Sequence, residues 1–133
     1  MNEDNRKHLD LIQGVINRLA GNSFSVKTWA VGLITVLVGF SAKDANAAFA
    51  VALILPALCF WGLDAYYLRQ ERLYRKLFEK AVKGTVVVYT MKAADCEDEI
   101  DRRVVWAPTV ASIHGPILLF VIGAIVYSFA HKR

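Results

Sequence analysis

The sequence predicts an all-α membrane protein, and three observations carry that reading. Apolar residues make up 56% of the 133 positions, above the roughly 45–50% of soluble domains. They gather into three blocks, 26–42, 47–63 and 104–130, with the charge between them. What remains is too polar to bury a core of its own. The length fits one domain, so a single membrane domain is expected over 1–133. Its expected parts are an amphipathic helix (1–22), three transmembrane helices (24–42, 47–66 and 108–130), and a cytoplasmic helix and loop (67–103).

The N-terminal segment places Leu9, Ile12, Val15, Ile16 and Leu19 at helical spacing, with Asp10, Gln13, Asn17 and Arg18 opposite. This is an amphipathic helix expected to end at Gly21-Asn22. Its apolar face has two possible seats: the inner leaflet, or the cytoplasmic extension of the second span. Residues 1–13 are polar and include acids, so no secretory signal is expected there.

A spanning helix takes about 20 residues, with a range near 17–25. The first block carries one charge, Lys27, near its start, and the second carries none over 17 positions. Phe24 and Trp29 extend the first, and Trp61, Tyr66 and Tyr67 the second, since such rings favour the headgroup zone. Only Lys43-Asp44-Ala45-Asn46 separates the two blocks, which predicts a tight antiparallel hairpin. The third block contains Pro108, His114 and Pro116. Proline is tolerated at a helix start, where its missing N–H has no partner anyway. The third span therefore begins near Pro108 or Thr109, with a kink at Pro116, rather than as a half-inserted helix broken at His114-Gly115-Pro116. An N-inside topology puts thirteen of the sixteen Lys and Arg on the inner side. The positive-inside tendency then sets the N-terminus on the cytoplasmic side. Cys59 and Cys96 fall in different compartments, so no bridge between them is expected.

The second span should continue as a helix to Gly84, because nothing before it breaks the pattern. Arg69, Arg72, Lys76, Lys80 and Lys83 follow spacings of 3, 4, 4 and 3, which confines them to an arc of roughly 80°. Such a stripe is either a solvated face helped by lipid phosphates, a protein-docking face, or a site for a polyanion such as a cyclic nucleotide or oligonucleotide. Residues 85–90 are β-branched and suit an extended segment. Asp95, Glu97, Asp98, Glu99 and Asp101 then crowd before Arg102-Arg103. Acids favour a helix N-terminus, or they pair with the basic stripe until a ligand competes.

Within the first span, Ser25, Thr28, Gly32, Thr35, Gly39 and Ala42 form one seam of small or hydroxylated residues. Small residues let membrane helices approach closely. The other reading is a narrow, uncharged pore lining around the axis of a homo-oligomer, gated by apolar constriction. Asp64 sits at the inner end of the second span, where an ionisable residue is a functional suspect; the plainer reading, a carboxylate solvated at the interface, is preferred. His114 lines a vestibule or plays a structural part. No nucleophile–base pair, phosphate loop or paired-carboxylate pocket stands out, so no enzyme, cofactor or metal site is expected, and no duplex DNA partner.

The run His8-Leu9-Asp10-Leu11-Ile12-Gln13-Gly14-Val15-Ile16-Asn17-Arg18-Leu19, then Phe24 and Trp29, is joined by a second run, Phe60-Trp61-Gly62-Leu63-Asp64-Ala65-Tyr66-Tyr67-Leu68-Arg69-Gln70-Glu71-Arg72-Leu73. Over residues 6–83 the chain resembles the SLATT-type small bacterial transmembrane proteins, predicted pore-forming effectors of nucleotide-signalled antiviral defence. The third span departs from that family's two-span pattern. The resemblance implies an oligomeric channel held shut until a nucleotide or oligonucleotide binds the cytoplasmic portion. The rival reading is a non-conducting scaffold that recruits a soluble partner.

Overall fold

The computed structural model describes residues 2–44, 47–99 and 102–131, and it is all-helical, with no strand among the described residues. Four helices run in chain order: α1 (Glu3–Asp44), α2 (Ala47–Ala52), α3 (Ile54–Val82) and α4 (Pro108–Ala130). Short 3-10 segments, Ala93–Glu99 and Arg102–Trp106, lie between α3 and α4.

α1 is one helix of 42 residues, which corrects the expected stop at Gly21-Asn22. A glycine inside a helix costs only about 1 kcal/mol relative to alanine, and no proline follows to end the run. Packing against α3 on both sides of Gly21 outweighs that cost. A second departure falls in the following span, where α2 gives way to α3 at Leu53. Pro56 explains it: the ring crowds the carbonyl four residues back, at Ala52, and offers no N–H to it. The Leu53 amide instead closes a tighter turn onto the Ala50 carbonyl at 3.2 Å.

α3 ends where the chain turns left-handed at Gly84, φ +69°. The Gly84 amide donates to the Ala81 carbonyl (3.1 Å) and the Thr85 amide to the Lys80 carbonyl (3.0 Å). This is a Schellman cap, in which glycine carries no Cβ penalty. Residues 85–90 are not the extended segment their β-branched composition suggests. They turn back over the start of α1, where His8 Nε2 donates to the Thr90 carbonyl at 2.9 Å. Tyr89 takes the left-handed conformation in that turn, φ 67°. α4 begins with Pro108 in its first turn and runs through Pro116 without ending.

α1 and α3 lie antiparallel, and α4 packs against both. Near one end, Ile12 and Ile16 of α1 are buried against Leu73, Leu77, Ala93 and Cys96. The apolar stripe of the N-terminal segment is thereby seated on α3. Near the other end, Ala30, Ile34 and Val38 meet Leu53, Ala57, Ile117, Val121 and Ala124. Three stretches, α1, α2 with α3, and α4, are long and apolar enough to cross a membrane. Their outer faces bear Trp29, Val36, Phe40, Leu55, Leu119, Phe120 and Val126, all exposed. An apolar surface of that extent is a liability in water and the natural contact for lipid.

Candidate functional site

One carboxylate joins all three long helices. Asp64, on α3, is 0% exposed, so it is not the solvated interfacial residue that its position suggested. Its Oδ1 accepts from Ser23 Oγ at 2.5 Å and from Lys27 Nζ at 2.6 Å, both on α1. Lys27 Nζ also donates to Ser23 Oγ at 2.8 Å, which closes a triangle. Oδ2 accepts from His114 Nε2 of α4 at 3.0 Å.

Burial of a single carboxylate costs several kcal/mol, and the cost is met only where a counter-charge and hydrogen bonds occupy its lone pairs. Both Asp64 oxygens have such partners. Lys27 keeps 20% of its side chain exposed, so the ammonium reaches Asp64 from the rim of the bundle. His114 is 1% exposed, and its Nδ1 has no hydrogen-bond partner among the described residues. A neutral ring with its proton on Nε2 leaves only a lone pair unmatched at Nδ1, the lesser of the two costs. Trp61 covers this ring, stacked at 6.3 Å and 15°, and its indole N–H donates to the Val105 carbonyl at 2.9 Å. The arrangement can hold or release helices relative to one another. Among the described residues no group of three or more His, Cys, Asp or Glu side chains is placed to hold a metal ion.

The seam of α1 lies elsewhere. Ser25, Thr28, Gly32, Thr35 and Gly39 are all exposed, while Ser23, Val26, Ala30, Ile34 and Val38 make the buried face. A Cβ added at Gly32 or Gly39 would meet nothing within 4 Å. No close approach inside the chain therefore requires these glycines. Ser25 Oγ and Thr28 Oγ1 donate back to the Gly21 and Phe24 carbonyls at 3.0 and 3.1 Å. Thr35 and Gly39 border an apolar groove of about 560 Å³ whose other wall is α4, with Leu119, Phe120, Gly123 and Tyr127.

The basic stripe is carried by one unbroken helix as far as Lys80, with Lys83 at its C-cap. Lys76 pairs with Glu79 at 3.3 Å, and the adjacent Arg75 pairs with Glu71 at 2.8 Å. Arg69, Arg72, Lys76 and Lys80 are half-buried and Lys83 is exposed. Of the acidic cluster, Asp95 is exposed in the first 3-10 segment. Asp101 and the side chains of Glu97, Asp98 and Glu99 lie outside the described residues. Both cysteines are free, Cys59 exposed and Cys96 buried.

With this geometry, the chain belongs to the class of all-helical proteins with three helices able to span a membrane. No protein-family model, curated protein or solved structure matches it.

Proposed function

We propose that the protein is an oligomeric membrane effector whose α1 seam surrounds an ion-conducting pore, opened by a signal bound on the cytoplasmic side. The observation that carries this reading is the exposure of Ser25, Thr28, Gly32, Thr35 and Gly39 on a helix whose other face packs the monomer. Small and hydroxylated residues turned outward in lipid gain nothing from solitary exposure. Set around a common axis, they allow close approach of neighbouring copies and offer hydroxyls to water. Three spans enclose no channel alone, so conduction requires a homo-oligomer. The Lys27–Asp64–His114 cluster fits a latch that holds the three helices in the closed arrangement.

The class of signal, a cyclic nucleotide or oligonucleotide, and the role in antiviral defence in a bacterial inner membrane follow from the SLATT-type resemblance. The stripe Arg69, Arg72, Lys76, Lys80 and Lys83 is the surface on which such a polyanion would lie, with Asp95, Glu97, Asp98, Glu99 and Asp101 competing for it at rest. The test uses wild type and Thr35→Asp expressed in bacteria at equal membrane levels, with membrane potential followed by a dye. A carboxylate in a closed apolar constriction wets it, so the variant should depolarise cells that wild type leaves polarised. A variant that reaches the membrane and leaves the potential intact turns the seam into a packing surface, and the scaffold reading replaces the pore.

A further inference from the structure

Beside the latch, α1, α3 and α4 border an open cleft of about 470 Å³ lined by Ser23, Phe24, Lys27, Glu71, Thr109 and Ser112. Its wall offers both signs of charge. Lys27 spends two of its three N–H donors on Asp64 and Ser23, which leaves one. The Glu71 side chain is 13% exposed, and Arg75 Nε and a terminal guanidinium nitrogen both donate to its Oε1, so Oε2 keeps its capacity to accept. The Thr109 and Ser112 hydroxyls make no hydrogen bond among the described residues. Pro116 has no N–H, so the Ser112 carbonyl also loses its ordinary donor four residues on. Within a membrane such groups need a partner from outside the helix.

We infer that this cleft is a binding site for the headgroup of a phosphoethanolamine lipid, with the phosphate on Lys27 and the primary ammonium on Glu71 and Ser112. Depth supports a lipid. Thr109 and Ser112 lie within the first turns of the apolar helix Pro108–Ala130, the end where a spanning helix meets headgroups. Glu71 is seven residues beyond Asp64, about 10 Å along α3 toward the extension, whereas Lys27 sits at the level of Asp64. A bilayer lipid presents its groups in that order, chains deepest, then phosphate, then ammonium. Phe24, largely exposed at the cleft edge, lies one turn before Lys27 on α1, on the headgroup side of the phosphate. A phosphoglycerol lipid has no cation for Glu71, and a phosphocholine lipid has a cation without N–H donors. The site is independent of whether the protein conducts.

The experiment places the full chain in nanodiscs of equal parts phosphoethanolamine, phosphocholine and phosphoglycerol lipid, then counts retained lipids by native mass spectrometry. One phosphoethanolamine lipid per chain should be retained, enriched about tenfold over phosphocholine, the worth of one charge-assisted hydrogen bond. Glu71→Gln and the cleft-filling Ser112→Leu should each abolish the enrichment while helicity and oligomer size stay unchanged. Excess glycerophosphoethanolamine in solution should not displace the lipid. Equal retention of all three lipids by wild type overturns the assignment, and that comparison needs no variant to fold. Enrichment that survives both substitutions, or displacement by the soluble headgroup, overturns it as well.

Discussion

Asp64 is the residue on which the three long helices depend, because it is the point where a charge is fully withdrawn from solvent. Removing one partner of such a pair leaves the other charge buried and uncompensated, at a cost of about 3 kcal/mol or more. Lys27→Met should therefore lower the unfolding free energy of the protein in detergent by that margin, and Lys27→Met with Asp64→Leu should recover much of it. A double variant no more stable than Lys27→Met would show that the cluster does not act as a pair. The position of Asp64 was legible in the sequence, but its environment was not. Its partners lie 41, 37 and 50 residues away, on helices whose rotation no local pattern fixes. Lys27 read as a stray charge at a span's start, and His114 as a lone histidine beside a Gly-Pro pair. A residue with a pH signature, Tyr89, sits in the turn over α1. Desolvation, then the hydrogen bond to Asp4 (3.1 Å) and the charge of Asp4, raise the Tyr89 hydroxyl above its ordinary 10.0. A raised acid stabilises the folded chain while it stays protonated. That contribution is complete below pH 10 and is lost as the pH climbs through the folded value. Difference absorbance titration against Tyr89→Phe should show the late-ionising hydroxyl, and Asp4→Asn should move it back toward its ordinary value.

Helix continuity decides how the parts communicate. α1 carries the seam and the buried stripe Ile12 and Ile16 on one continuous helix, with no break between its N-terminal end and Thr28 or Thr35. The sequence showed both amphipathic and apolar patterns there, and the glycine between them looked like a boundary. Glycine is only a weak breaker, and tertiary packing decides. Proline is the strong one, and Pro56 interrupts the second span at Leu53 inside a block that reads as uniformly apolar. The end of α3 was legible from Gly84, since only glycine takes its φ of +69° freely. Gly84→Ala should cost about 1–2 kcal/mol, read as an equal loss in unfolding free energy, with the 85–92 turn exchanging amide hydrogens faster. The basic stripe yields a prediction on the same helix. If single-stranded oligonucleotide binds there, each of Arg72→Gln, Lys76→Gln and Lys83→Gln should reduce the slope of log affinity against log salt by about 0.7. An unchanged slope in all three would take the polyanion off this face.

At the scale of the whole molecule, the monomer leaves two surfaces without partners in the chain: the small-residue seam of α1 and the groove between Thr35, Gly39 and α4. Composition and charge patterning made the three apolar helices legible, because each block must meet lipid or another helix along its length. The direction of each face was not legible. A seam of Ser, Thr and Gly reads identically whether it packs inward or outward, and only the burial of Val26, Ala30, Ile34 and Val38 on the opposite face resolves it. On the proposed pore reading, an outward seam joined to a buried latch would make a closed three-helix unit completed by assembly. The most direct test is the current across a planar bilayer holding purified Thr35→Asp. The pore account predicts discrete unitary steps, made smaller by adding Gly32→Trp, since a ring at Gly32 would narrow the lumen one turn from residue 35. An absence of steps, or steps whose size ignores Gly32→Trp, would contradict it.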